Sequence, residues 1–201
     1  MEENLARQLQ DATPELWVGT RRLGRGPCLA VFAPGQGVPG SIAILVSDAG
    51  QACSMLIRLA QGLALSMNLT PMQRDLVLMG VAGALAGPPH QVPPVGPGAG
   101  RVAVELTPPE GGEAKKKEGT AGIGALRDAE GDRVVTFFAA RVSETVVLLR
   151  HLVAQAAQII SRLASEGRED PERAAAAAKA ALLRDITNAV LVPEAFAGKQ
   201  A

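Results

Sequence analysis

The sequence predicts an α+β protein of antiparallel strand meanders covered by helices, arranged as two similar strand-then-helix halves. Three observations carry this expectation. Short runs rich in Val, Ile and Leu, punctuated by Gly and Pro, recur in each half and read as strands. Each set of runs leads to an acidic residue, Asp48 or Glu144, and then to apolar residues at helical spacing. A Pro/Gly-rich stretch over 87–100 divides the chain, because both residues interrupt regular structure. The expected organisation is an N-terminal half over 1–86, a linker over 87–100 and a C-terminal half over 101–201.

In the N-terminal half, residues 2–11 are expected to form a short helix with Leu5 and Leu9 on one face. Leu16–Leu23, Cys28–Ala33 and Ser41–Ser47 are expected strands. Asp48 is placed to cap the next helix, its carboxylate satisfying a first-turn amide. Cys53, Leu56, Ile57 and Ala60 fall on one helical face, which should run to about Gln61. Gly62 is then expected to end the helix, since Leu63, Leu65, Met67 and Leu69 alternate with Ala64, Ser66 and Asn68 as a strand would. Thr70 caps a further helix reaching Ala86, with Pro71 at its first position, where a missing amide costs nothing. Met72, Leu76, Met79 and Leu85 are expected in the core, and Gly80, Gly83 and Gly87 allow close helix approach.

Beyond the linker, Arg101–Leu106 alternates as a strand. The segment 107–119 combines breakers with charges and reads as a loop, its Lys115, Lys116 and Lys117 solvated between Glu113 and Glu118. Ile123–Leu126 and Arg133–Val142 are expected to form a hairpin around 128–132. Thr145–Ala164 carries the clearest helical pattern: Leu149, Leu152, Ala156, Ile159 and Leu163 make one stripe, while Arg150, Gln155, Gln158 and Arg162 face elsewhere. His151, beside that stripe without a second His or Cys, reads as a structural histidine. Asp170-Pro171 starts a last helix that Pro193 ends. Its alanines favour helix but bury little, so it is expected to be peripheral or closely packed.

Composition narrows the function. There is no Tyr, one Trp (Trp17), two His and two Cys (Cys28, Cys53), so the chain offers little raw material for proton transfer or metal ligation. Twenty basic and twenty acidic residues cancel, which disfavours nucleic-acid binding through phosphate neutralisation. Arginine outnumbers lysine by 15 to 5, a bias that suits planar, multidentate contacts at interfaces. The N-terminal residues are acidic and polar, unlike a signal or transit peptide, and no apolar run approaches the roughly 20 residues of a membrane span. A cytoplasmic location follows as the expectation, with both cysteines reduced and apolar in character.

The motifs point the same way. Gly24-Arg-Gly26 and Gly122-Ile-Gly124 lack the third glycine of a dinucleotide fingerprint and read as turns. Asp48 at a helix N-terminus would be a poor base, because the dipole stabilises its charge. No catalytic residue, cofactor or metal ligand is nominated.

The run Leu16-Trp17-Val18-Gly19, then Leu29-Ala-Val31, then Val38-Pro39-Gly-Ser41 leading into an apolar strand that ends at Asp48, a helix with Leu56 and Leu59, and a strand-like stretch closing on Asn68-Leu69 resembles the proteasome assembly chaperone 4 family across residues 16–86. The resemblance implies a small non-catalytic α+β protein that pairs with a related chaperone and holds proteasome α-subunits while their ring assembles. The 115 residues beyond Ala86 depart from that pattern. They would supply a partner-like half in the same chain, making the usual heterodimer intramolecular.

The expected activity is therefore protein binding. Its contacts are placed on helix faces and arginines: Arg21, Arg22 and Arg25 in an N-terminal hairpin, with Arg150 and Arg162 on the long helix. The alternatives are a structural subunit of a homo-oligomeric particle, such as a virion or secretion component, and a small enzyme or ligand-binding domain without a recognisable motif.

Overall fold

The computed structural model describes residues 13–18, 20–33, 41–87, 102–107, 115–119, 121–128 and 133–194. The expected helix over 2–11 and most of the expected linker, from residue 88 on, lie outside them. The elements run β1 (Thr13–Val18), β2 (Arg21–Arg25), β3 (Cys28–Phe32), β4 (Ser41–Leu45), α1 (Ala49–Ser66), α2 (Pro71–Ala86), β5 (Val102–Thr107), β6 (Lys115–Gly119), β7 (Gly122–Asp128), β8 (Arg133–Ala139), α3 (Val142–Ser165) and α4 (Pro171–Leu191). The fold is α+β, and its order of four strands followed by two helices occurs twice.

Both halves build both sheets. The outer sheet has the order β2-β1-β5-β6 and the inner sheet β4-β3-β7-β8, with every neighbouring pair antiparallel. In each sheet, equivalent strands of the two halves meet at the centre (β1 with β5, β3 with β7) and their hairpin partners flank them. This is the pattern a twofold axis through the middle of both sheets would generate. The helices also cross over, with α1 lying on β7 and β8 of the other half and α3 lying on β3 as well as β7.

The inner sheet is covered on both faces, which is why β3 reads as an uninterrupted apolar run, Cys28-Leu-Ala-Val-Phe32. Side chains alternate between the two sides. Leu29, Val31, Ile123 and Ala125 join the helix-side core with Leu56, Leu59, Leu63, Leu149, Leu152 and Ile186. Cys28, Ala30, Phe32, Leu126 and Phe137 join Leu16 between the sheets. Two glycines let large rings fit there. Phe32 lies opposite Gly122, and Phe137 lies opposite Gly124, so each ring occupies the space a side chain on the facing glycine would take. Gly122-Ile-Gly124 is thus strand and not the expected turn, because the glycines serve cross-strand packing.

Local chemistry sets the helix starts. The Asp48 carboxylate accepts from the Gln51 amide at 2.7 Å, as expected. Thr70 and Gln73 form a reciprocal capping box ahead of Pro71, and Asp170 accepts from the Arg173 amide at 3.0 Å ahead of Pro171. At α3 the Glu144 carboxylate accepts from the Arg141 amide, so the helix begins at Val142, three residues before the expected Thr145, and β8 ends at Ala139 instead of running into it.

The expected strand at Leu63–Leu69 is overturned: α1 continues through Gly62 to Ser66. Gly62 is placed where the helix meets β8. A methyl group there would sit 2.8 Å from Oγ1 of Thr136 and 3.3 Å from the Phe138 ring, so the glycine permits close helix–sheet approach and does not end the helix. Helical spacing buries Leu63 and Ala64 and leaves Leu65 outside. The chain turns instead at Asn68, whose φ of 45° is the left-handed geometry that asparagine tolerates at a helix C-terminus.

Two further expectations change. Leu16–Leu23 is two strands, β1 and β2, paired antiparallel with a register shift at Leu16/Trp17. Part of the expected 107–119 loop is strand β6, whose backbone pairs with β5. In addition, α3, at 24 residues, meets the length and mean hydropathy of a membrane-crossing helix. Its apolarity is accounted for by contacts on several sides, with the inner sheet, α1, α2 and α4. The alanine-rich start of α4 is largely exposed, while Leu182, Ile186, Ala189 and Val190 bury its second half.

Candidate functional site

Helix α2 is apolar on two sides, and only one is used by the core. Val77, Val81, Ala84 and Leu85 face inward. Met72, Leu76 and Met79, expected in the core, are instead 73%, 50% and 71% exposed. Their spacing of four and then three residues continues to Gly83, four further on, and puts all four positions on one outward stripe. A helix apolar all round is ordinarily buried all round, which is why the sequence alone placed these residues inside.

The stripe borders a groove of about 840 Å³ between α2 and the first turns of α3. Leu76, Met79, Val146 and Val147 supply its apolar walls. The two glycines differ: among the described residues a methyl group on Gly83 would have no heavy atom within 4 Å, while one on Gly80 would lie 3.8 Å from Cβ of Arg150, whose stem packs over it. The charged residues in its lining are Arg141 and Arg150, both exposed. Helix α2 itself is anchored, since Nη1 of Arg74 donates to the Leu191 carbonyl at the end of α4, at 3.2 Å.

Of the sequence-nominated arginines, Arg150 alone lines this groove. Arg162 lies twelve residues further along α3, about 18 Å away by helical rise, exposed and outside the lining. Arg21, Arg22 and Arg25 sit on β2, at the edge of the outer sheet, with the inner sheet between them and the helices. Glu15 on neighbouring β1 lies 3.4 Å from Arg22 and 4.0 Å from Arg25. The five arginines therefore belong to at least two surfaces.

A second concavity, of about 960 Å³, lies at the α3–α4 turn and gathers Asp48, Glu166, Glu169, Asp170, Arg168 and Arg173. Its two aspartates are occupied as helix caps. The Gln51 amide and the Ser47 hydroxyl hold the Asp48 carboxyl below its ordinary value, so it is a weak proton acceptor. All six side chains belong to exposed residues. Among the described residues no cluster of three or more His, Cys, Asp or Glu side chains is arranged to hold a metal ion. His151 is buried within α3, and burial pushes the Cys53 thiol up, away from the reactive thiolate.

No family model matches the chain, and no curated protein or solved structure matches it. The strand-like stretch on which the chaperone resemblance closed is the end of a helix.

Proposed function

We propose that this chain is a non-catalytic protein-binding module whose docking surface is the groove between α2 and α3. The observation that carries this reading is the exposed stripe of Met72, Leu76 and Met79, joined by Val147 across the groove. Large apolar side chains contiguous on a surface lose free energy when a partner covers them, and unbranched methionines adapt to the covering shape. The capped and exposed state of the carboxylates favours binding over chemistry.

A role as a chaperone in assembly of the proteasome α-ring rests on the sequence resemblance over 16–86. The repeated order of four strands and two helices supports its corollary, that two related halves are fused in one chain. The test is affinity capture of the tagged full-length protein from its own cells, with mass spectrometry and light scattering, in parallel with Met79→Glu. Recovery of proteasome α-subunits or a related chaperone with the wild type, and their loss with Met79→Glu at unchanged melting temperature, is the expected result. A large particle made mainly of this chain would replace the reading with structural self-assembly. A monomer without partners would refute it.

A further inference from the structure

The groove's shape and charge define what fits it, and this inference rests on the protein-binding reading above. We infer that the occupant is an amphipathic helix of about three turns from a partner protein, apolar on one face and acidic on its flanks. The length follows from the stripe: Met72 to Gly83 is twelve residues, about 16 Å of helix from first to last. The shape follows from the walls. Both are helices, so the groove offers no free strand edge for an extended peptide, and the four-three-four spacing on α2 is the seam against which another helix packs. Gly83 leaves the outward stripe of α2 without a side chain at that position, so the incoming backbone can approach closely there.

The charge follows from Arg141 and Arg150, the charged residues of the lining: Arg141 caps the start of α3, and Arg150 lies nine positions later, about 12 Å along the helix from Val142. A helix laid in the groove runs past a basic residue toward each end of the α3 wall. Acidic flanks would pair with both, and basic flanks would be repelled. The same argument counts against a second copy of this chain, because an isologous contact across the stripe would bring the arginines of both copies to one interface.

The test is selection on the immobilised full-length protein from a random dodecapeptide display library, followed by fluorescence anisotropy of the enriched peptides. Enriched sequences should carry Leu, Met or Phe at helical spacing with net negative charge, and should gain helicity on binding. A Cβ at Gly83 meets no heavy atom within 4 Å among the described residues, so Gly83→Leu should retain the fold, which circular dichroism verifies, and should weaken binding at least tenfold. Arg150→Glu should weaken the same peptides at least fivefold and lessen the salt dependence of what remains. Enrichment of basic, neutral or extended peptides, no enrichment, or affinity indifferent to Gly83→Leu would overturn the inference. A dimer abolished by Met79→Glu would overturn it in favour of a second copy. If cellular partners are still captured through the stripe while the peptides fail, the occupant is wrong and the docking surface stands.

Discussion

Replacing Gly124 by alanine would place a methyl carbon 2.5 Å from the Leu29 carbonyl oxygen, 2.6 Å from the Phe137 ring and 3.0 Å from Cβ of Ala30. Relaxed carbon contacts lie near 3.5 Å, so the backbone of β3 must retreat by roughly 1 Å. That movement stretches ladder hydrogen bonds at the centre of the inner sheet, where Ala30 and Gly124 are register partners. Overpacking of this kind costs about 1–3 kcal/mol, against which alanine recovers about 0.5–1 kcal/mol of backbone entropy. We expect a net loss of about 1 kcal/mol, or about 2–4 °C in Tm for a chain of this size. The control is Gly83→Ala, the same chemical change where nothing among the described residues lies within 4 Å. Relief of an exposed helical glycine should there raise stability by up to about 1 kcal/mol. Urea denaturation followed by the fluorescence of Trp17, with the slope m compared across variants, measures both. A midpoint for Gly124→Ala equal to or above wild type would refute the close approach of β3 and β7, and a lowered midpoint for Gly83→Ala would refute the open groove.

Other substitutions probe separate parts of the argument. Thr145 is 0% exposed and its hydroxyl has no hydrogen-bond partner among the described residues, so Thr145→Val should raise the urea midpoint by an amount equivalent to about 1 kcal/mol; a lowered midpoint would mean that the hydroxyl is bonded. Buried Gln61 donates from Nε2 to the Pro193 carbonyl at 2.8 Å and accepts from Arg58 at 3.0 Å, so Gln61→Leu should cost about 1–3 kcal/mol, and no measurable loss would show that this tie between α1 and the end of α4 contributes nothing. Asp48→Ala should cost about 1 kcal/mol at pH 7. Because the folded carboxyl titrates below its ordinary 3.8, the cap's contribution is full above that value and is lost as pH falls through the folded value; the midpoints of the two proteins should differ by a constant amount from pH 7 to 5 and draw together only below 3.8, and convergence already above pH 5 would exclude the charged cap. Charge reversal at Arg21, Arg22 and Arg25 should weaken a captured complex without lowering Tm if the β2 edge is a second contact, and unchanged capture would remove it.

Where local chemistry decides an element, its sequence showed it. Asp48, Thr70-Pro71 and Asp170-Pro171 announce helix starts through side chains that bond the adjacent amides, and β3, β7 and β8 follow from their apolar runs. Legibility failed where a residue's role depends on something distant in sequence. Gly62 looks like a terminator until β8 is packed against it, and Gly122 and Gly124 look like turns until Phe32 and Phe137 lie across from them. The Lys115–Lys117 run looks like solvated loop because strand β6 is defined by its pairing with β5. The exposed stripe on α2 was hidden for a similar reason: an apolar residue in a sequence carries no mark saying whether its own chain or another molecule covers it. Arg150 was legible as an outward-facing residue, but Arg141 was not, since its place in the groove depends on where α3 begins.

The sharing of both sheets by both halves bears on how the chain acquires its structure. As the ribosome delivers the first four strands and two helices, β1 and β3 each present a whole row of unpaired amides and carbonyls, because their partners β5 and β7 have not yet been made. At about 5–20 residues per second, synthesis of the roughly 40 residues from the end of α2 to the end of β7 leaves those edges open for about 2–8 s. The pairings that close them join segments some 90 residues apart, which is the slow, non-local kind of folding step. The nascent first half is thus a template for strand addition by any neighbouring nascent copy, and exchange of halves between two chains would satisfy the same hydrogen bonds as the monomer.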